Sequence, residues 1–341
     1  MNKYFVLLIG FVFGCTILLA QNLSIDYQLS YTDNAFSLSK QDLDKFDANQ
    51  AFSYIETSDD IIQTINLRFS NAYRNKNYRI TPAISLTNDV YLNNSDKNKL
   101  SLLAGFNSRA FKTFIDFRYG WYPGNYTQKY LDTDGTNKYE KFEYDKNLYK
   151  LAVKHPITKR LDVELYGKYE SYYHNKYFTE YDGDAITTGL GLLSKYQPGT
   201  LSVFYYFKQF DNNSDNAYSQ KIIDTEKDCS YDSDAFEVAY TFPRLYTNYA
   251  DYSPFLGFRI ENSIYQSKHS LESDPIHASR EDTVIKLNAG TTIYVFKNIN
   301  LKLDAIQAFR RVSSNNENLK RLKNYDKLQI CAGVNYLFDF K

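Results

Sequence analysis

The chain closes, from Leu328 to Phe340, on LQICAGVNYLFDF. Every second residue of this stretch is apolar: Leu328, Ile330, Ala332, Val334, Tyr336, Phe338 and Phe340. The residues between them are mostly small or polar. Because successive side chains leave a β-strand on opposite faces, the alternation predicts a strand with one apolar face. The stretch is long enough to cross a bilayer when tilted, which takes about 9 to 11 residues.

The same alternation recurs along the chain, between connections that are short and long in turn. We count about fourteen such segments, with both chain ends on the same side. The sequence therefore predicts an all-β fold, a closed antiparallel transmembrane β-barrel with short periplasmic turns and longer extracellular loops. Residues 123–141 are predicted as one of these loops, and residues 33–60 as another, which could fold inward. Pro82 lies inside a predicted strand and cannot donate to a ladder, so we expect a bulge or a local break there.

Composition supports this fold and excludes other classes of protein. The chain has 33 Tyr and 24 Phe but 1 Met, and its mean hydropathy is nevertheless negative. An apolar, aromatic outer band around a polar lumen explains this combination. A soluble β-sandwich is the structural alternative, but it would have to hide an aromatic face on every strand. The 40 basic and 40 acidic residues balance, so no nucleic-acid partner is predicted.

The start of the chain resembles a targeting segment. Residues 1–20 have a lysine, an apolar run and a terminal Ala20, which predicts a signal peptide cleaved after that alanine. A retained transmembrane helix is the alternative. Residues 21–341 then form a single outer-membrane β-barrel domain. Cys15 would leave with the signal peptide, and Cys229 and Cys331 do not suggest a disulfide framework.

The final strand, which ends in alternating aromatic residues, resembles the terminal strand of bacterial outer-membrane β-barrels. One departure is Lys341, which follows Phe340 where those proteins usually end on the aromatic residue. In strand number the chain resembles monomeric fourteen-stranded porins and the acidic-oligosaccharide-specific porins, in pattern alone. The resemblance implies a location in the bacterial outer membrane. It also implies contact with outer-membrane lipid and with the barrel-insertion machinery, and passage of small hydrophilic solutes.

Charged residues at the polar positions of the predicted strands would line the lumen. The predicted basic lining residues are Arg68, Arg79, Lys112, Arg118, Lys146, Lys150, Lys154, Lys168 and Arg259. The predicted acidic lining residues are Asp116, Asp162, Glu164 and Glu170. Rows of lysine and arginine lower the barrier for anions in a pore, which favours a mild preference for anions or acidic sugars. The alternative is that these charges pair across strands and only stabilise the wall.

The predicted function is passive diffusion of small hydrophilic solutes through an outer-membrane channel. One alternative is a scaffold or adhesin that acts through its extracellular loops, and another is a barrel lipid hydrolase. The 4 histidines have no strand-spaced serine partner on the outer face. The sequence also lacks metal-ligand spacing and a glycine-rich phosphate loop. We therefore predict no enzyme, no catalytic residue, no metal and no cofactor.

Overall fold

A computed structural model describes residues 22–132, 136–196, 199–212, 228–248 and 250–340. Fourteen long strands follow one another through these residues, each antiparallel to the next. The strands are β1 (Asn22–Thr32), β2 (Asp60–Ser70), β3 (Tyr78–Tyr91), β4 (Lys99–Ala110), β5 (Thr113–Leu131), β6 (Tyr139–Pro156), β7 (Leu161–His174), β8 (Gly183–Tyr196), β9 (Gly199–Asn212), β10 (Tyr231–Thr241), β11 (Asp251–Tyr265), β12 (Glu281–Phe296), β13 (Ile299–Ser313) and β14 (Tyr325–Asp339).

The first and last strands close the sheet into a barrel. β1 pairs with β14 over its whole length, with Leu29 opposite Ala332 and Leu23 opposite Phe338. On its other side β1 pairs with β2, which pairs with β3, so each long strand has two neighbours. The prediction of a closed antiparallel barrel of about fourteen strands is confirmed, and the soluble sandwich is ruled out. Closure removes the free strand edge that would otherwise expose backbone hydrogen-bonding groups.

A local break occurs beside Pro82, as the sequence predicts. β2 ends at Ser70 and resumes for two residues at Tyr73–Arg74, in the same register against β3. Between these pieces, the Asn71 N–H donates to the Pro82 carbonyl over 3.3 Å. Pro82 has no N–H to complete the ladder on this side. The break therefore stays local and does not shift the register.

The prediction of a loop at residues 123–141 is wrong. β5 continues to Leu131 and β6 begins at Tyr139, so a long hairpin extends beyond the rest of the barrel wall. Its register shifts between Tyr122 and Asn125 and again between Tyr126 and Lys129. Each shift breaks the alternation of faces, so the period-two pattern disappears from the sequence although the backbone stays paired.

The outer surface of the barrel is apolar over its middle. Side chains that point away from the lumen are exposed although they are large and apolar. They include Leu29, Ile65, Leu86, Leu151, Leu165, Leu190, Leu256, Leu287 and Leu303. Aromatic residues lie nearer the strand ends, for example Tyr31, Trp121 and Tyr173 on the loop side and Tyr73 and Tyr78 on the turn side. An apolar band between aromatic girdles is the exterior of a barrel that spans a bilayer.

The long connections carry the only α-helices of the described residues. α1 (Lys40–Asp47) lies in the first long loop and begins after Ser39, whose hydroxyl accepts a hydrogen bond from Asp42 N–H. α2 (Glu317–Lys323) lies between β13 and β14. Neither of these helices, nor any other in the described ranges, has the length and apolarity needed to cross a membrane.

Several sequence predictions concern residues outside the described ranges. These are the signal peptide at 1–20, its cleavage site, Lys341 and most of the loop after β9. Within the described ranges, Cys229 and Cys331 are free thiols.

Candidate functional site

The strand register assigns each predicted lining residue to a face of the wall. Directly paired residues share a face, and the lumen face is the one opposite the apolar band. The residues on the lumen face are Arg68, Arg79, Arg118, Lys146, Lys150, Lys154, Lys168 and Arg259, with Asp116, Asp162, Glu164 and Glu170. Lys112 instead lies in the two-residue turn between β4 and β5, at the barrel rim. Phe111 takes φ 53° to make that turn, which moves Lys112 out of the strand.

Two carboxylates organise the cations of β5, β6 and β7. Asp116 lies 3.0 Å from Arg118 Nε and 3.8 Å from Lys150 Nζ. Glu170, whose side chain is 4% exposed, lies 2.7 Å from Lys168 Nζ and 3.4 Å from Lys146 Nζ. Arg118 and Lys168 each pair within their own strand, whereas Lys150 and Lys146 pair with carboxylates on a neighbouring strand. These four cations are therefore partly compensated by acidic side chains.

A third group lies on β10 and β11. Arg259 contacts Glu237 over 3.2 Å through one terminal nitrogen and Glu261 over 2.9 Å through the other. Near the turn side, Lys195 Nζ lies 2.8 Å from buried Asp162. Each of these carboxylates faces the lumen beside a strand that carries a cation. The wall from β5 to β11 is thus a nearly continuous belt of alternating charge.

A cavity of about 380 Å³ lies within the lumen against this belt. Its charged lining residues are Lys150, Lys168, Glu170, Lys208, Arg259 and Glu261. Tyrosines fill the spaces between the charges: Tyr166 packs edge-on against Tyr206, with ring centroids 5.3 Å apart. Lys150 Nζ lies 5.3 Å from the Tyr166 centroid, and Arg259 Cζ lies 5.5 Å from the Tyr206 centroid. Cations at this distance are attracted to the ring face.

The lumen also keeps cations that have no carboxylate partner among the described residues. Among the described residues, no carboxylate forms an ion pair within 4.0 Å of Arg68, Arg79 or Lys154. Lys208 is bonded only to a neutral group, the Tyr231 hydroxyl. Glu164 lies opposite Lys154 in the register but outside ion-pair distance. Positive charge therefore exceeds negative charge along this part of the wall.

A closed sheet with an apolar exterior and a charged, tyrosine-lined interior decides the class of this protein. The chain is a closed fourteen-stranded antiparallel β-barrel with the exterior of a membrane-spanning barrel. Barrels of this kind occur in bacterial outer membranes, where an even number of antiparallel strands joins short periplasmic turns to longer extracellular loops.

Comparison with known proteins finds likeness in structure alone. The sequence matches no protein-family model and no curated protein. A solved structure described as a bacterial polysaccharide outer membrane secretin has 9% identity and a TM-score of 0.47, covering 94% of this chain and 99% of that one. OpdK of Pseudomonas aeruginosa with vanillate has 9% identity and a TM-score of 0.43, covering 93% and 98%. An anion-selective porin from Comamonas acidovorans has 9% identity and a TM-score of 0.42, with the same coverage. At these values the solutes of those proteins do not transfer to this barrel.

The alternation in the sequence did not reveal the two lumen cations of β4. Lys99 and Arg109 lie at the two ends of β4, directly opposite Asp89 and Arg79 on β3. The predicted strand was shorter, covering residues 100–107. The signal was present, since extending the same alternation by one repeat from Asn107 reaches Arg109. What hid it was the weak apolar face of β4, in which Ala104 and Ser108 replace large residues.

The long loops of the barrel pack together into a cap. Tyr54 of the first loop contacts both the N–H and the carbonyl of Lys129 on the β5 extension, each over 3.3 Å. Asn34 donates to the Asp326 carbonyl over 3.2 Å, and Asn316 donates to the Pro275 carbonyl over 3.1 Å. The first loop therefore contacts the β5 extension through Tyr54 and the beginning of β14 through Asn34.

Lys97 lies buried under this cap, in the short connection between β3 and β4. Its Nζ donates to the Thr127 carbonyl over 3.2 Å and lies 4.4 Å from the Phe36 ring centroid. Burial lowers the pKa of Lys97 to about 7, with a smaller contribution from the positive charges of Lys99 and Lys327. The cap thus encloses an amine that can lose its proton near neutral pH.

Among the described residues, no group of three or more His, Cys, Asp and Glu side chains is placed to hold a metal ion.

Proposed function

We propose that this barrel is a diffusion channel for small hydrophilic solutes, with a mild preference for anions. The observation that carries the proposal is the lumen cavity of about 380 Å³ bounded by Lys150, Lys168, Lys208 and Arg259. A charged cavity inside a closed membrane barrel is wet, because burying these groups without water would be costly. Water continuity along the bore is the physical condition for solute diffusion.

The preference for anions rests on the balance of charges. Asp116 and Glu170 each form ion pairs with two cations. Each group of two cations and one carboxylate therefore carries a net positive charge. Arg68, Arg79 and Lys154 add positive charges that form no ion pair within 4.0 Å with a described carboxylate. Net positive charge on a pore wall lowers the barrier for anions and raises it for cations. Tyr166 and Tyr206 would offer flat surfaces to a ring-shaped solute such as an acidic sugar.

The direct test is the single-channel current of the refolded barrel in a planar bilayer under a KCl gradient. We expect discrete conductance steps and a reversal potential that is shifted from zero toward the equilibrium potential of chloride. A reversal potential shifted toward the equilibrium potential of potassium would contradict the anion preference. It would not contradict the proposal that the barrel is a channel.

Liposome swelling tests the channel against the alternative of a loop-based scaffold. Liposomes that contain the barrel should swell in isosmotic solutions of small sugars at a rate that falls as the sugar grows. If liposomes that contain inserted protein are no more permeable than empty liposomes, the result would contradict the channel and favour the scaffold.

A further inference from the structure

One row of the lumen wall, near the periplasmic turns, brings arginines together on adjacent strands. Arg74 lies directly opposite Arg79, and Arg79 lies directly opposite Arg109. The row continues with Phe114 on β5 and Lys154 on β6. Direct cross-strand partners point to the same side of the sheet, so all five side chains face the lumen at one level.

The three arginines carry uncompensated charge. Arg74, Arg79 and Arg109 form no ion pair or hydrogen bond with any described residue. The cations of the belt above behave differently, since Arg118, Lys168 and Arg259 each contact a carboxylate. Like charges placed directly opposite each other destabilise a ladder. A ladder with two consecutive arginine pairs is therefore best satisfied when an anion lies between the guanidinium groups.

The space beside this row is large enough for such an anion. A cavity of about 680 Å³ opens there, lined by Arg74, Lys76, Arg79 and Arg109 and by the polar side chains of Thr81 and Asn107. Among the described residues, its lining includes no aspartate and no glutamate. Arg109 also lies over the Phe114 ring, with its Cζ 5.0 Å from the centroid, and Lys154 Nζ lies 5.3 Å from the same centroid. The ring holds these two cations at the edge of the cavity.

We propose that Arg74, Arg79 and Arg109 form a binding site for small oxyanions that carry two or more charges. A guanidinium group presents a planar fork of N–H donors that matches a carboxylate or phosphoryl group bidentately. Adjacent strands lie about 4.8 Å apart, so the three groups span roughly 10 Å. A diphosphate or a short dicarboxylate can reach two forks at once, whereas a single carboxylate reaches one. The site needs a wet periplasmic mouth, but it does not need the solute to cross the barrel.

Calorimetric titration of the refolded full-length barrel in neutral detergent tests this site. Pyrophosphate and succinate separate phosphoryl from carboxylate recognition, and acetate measures the single-charge case. We expect pyrophosphate or succinate to bind at least tenfold more tightly than acetate. The double variant Arg79→Gln/Arg109→Gln should lose at least tenfold of that affinity. Migration of unheated protein on a gel confirms that each variant is folded.

The matched control is Lys302→Gln, which removes a positive charge from β13, elsewhere on the lumen wall, where Lys302 pairs with Asp304 over 3.2 Å. This variant should bind as tightly as the natural protein. Equal weakening in the control and the double variant would overturn the site, because it would mean that any lumen cation suffices. Equal affinity of the natural protein and the folded double variant would also overturn it. Because binding is measured without current, a barrel that conducts and fails here would contradict the site alone.

Discussion

Arg259 holds two carboxylates that would otherwise repel each other across the lumen wall. It contacts Glu237 and Glu261 from β11, and its side chain is 34% exposed to the lumen. A guanidinium group can satisfy two carboxylates at once because its donors diverge in a plane. Its removal would leave two negative charges in the wall of the cavity with one cation fewer.

The variant Arg259→Gln is therefore expected to move the selectivity of the channel toward cations. The net charge of the lumen falls by one, and both glutamates lose their partner. The reversal potential in a KCl gradient should therefore lie closer to the equilibrium potential of potassium than it does for the natural protein. The matched control is Arg311→Gln, since Arg311 pairs with Asp326 near the loops, on the outer side of the wall. An equal shift in the two variants would mean that the charge of Arg259 acts only at long range.

At the residue scale, the sequence could predict the face of a side chain but not its partner. The alternation assigned Arg118, Lys150 and Glu170 to the polar face of their strands. It could not show that Asp116 serves two cations while Arg79 faces Arg109, because register is set between strands and not within them. Lys112 shows a further limit, since a positive φ at Phe111 moved it into a turn.

At the scale of elements, β8 and β9 show how aromatic side chains fit into the lumen wall. Gly189 lies directly opposite Tyr206, and Gly191 lies directly opposite Phe204. A Cβ at position 189 would lie 2.5 Å from Cδ1 of the Tyr206 ring, so the ring occupies the place of the missing side chain. Phe204 and Tyr206 stack at an interplanar angle of 1°. The glycines of β8 thus let these rings lie flat against the wall.

We expect Gly189→Val to push the Tyr206 ring into the lumen. The variant should lower single-channel conductance, and overpacking should reduce stability by about 1–3 kcal/mol. Gly167→Val is the matched control, because Gly167 is on the lipid face of β7 and a Cβ at that position would have no neighbouring atom within 4 Å. Conductance is measured in a planar bilayer, and stability by the temperature at which gel migration changes. Unchanged conductance in folded Gly189→Val protein would contradict this account of the ring.

The long hairpin of β5 and β6 marks the limit of sequence prediction for elements. The regular part of each strand was readable, because Ile115, Phe117 and Tyr119 alternate cleanly with polar residues. Beyond Tyr122 the register shifts twice, and each shift reverses the faces. Gly124, in the left-handed conformation (φ 56°), lies within the first shift. A period of two residues does not continue through these shifts, so the sequence pattern predicted a loop where the ladder is irregular.

At the scale of the whole molecule, closure was predictable and the cap was not. Both chain ends were expected on one side because the strand count is even, and β1 and β14 do pair along their length. The cap depends on contacts between loops far apart in sequence, such as Asn34 with Asp326 and Tyr54 with Lys129. No local periodicity encodes these contacts, so composition could suggest only that the loops are polar.

The cap should be less stable when Lys97 is protonated. Lys97 has a pKa of about 7 in the closed cap, whereas an exposed lysine has a pKa of about 10.4. Below pH 7 the amine is charged in both states, and the closed cap bears the full cost of burying the charge. Between about pH 7 and pH 10 the open state binds more protons than the closed state, so stability of the closed cap rises with pH. Asp60 offsets part of this cost, while Lys99 and Lys327 add to it.

Hydrogen exchange of residues 33–59, corrected for the intrinsic pH dependence of exchange, measures this effect. Protection of the first loop should be greater at pH 9 than at pH 6, and Lys97→Met should remove most of that difference by supplying an uncharged side chain of similar length. Lys320→Met is the control, because Lys320 pairs with Glu317 on the surface of α2. It should keep the pH dependence of the natural protein. Two results would show that protonation of Lys97 does not affect the stability of the cap. One is protection that does not change with pH in the natural protein, and the other is an equal change in Lys97→Met.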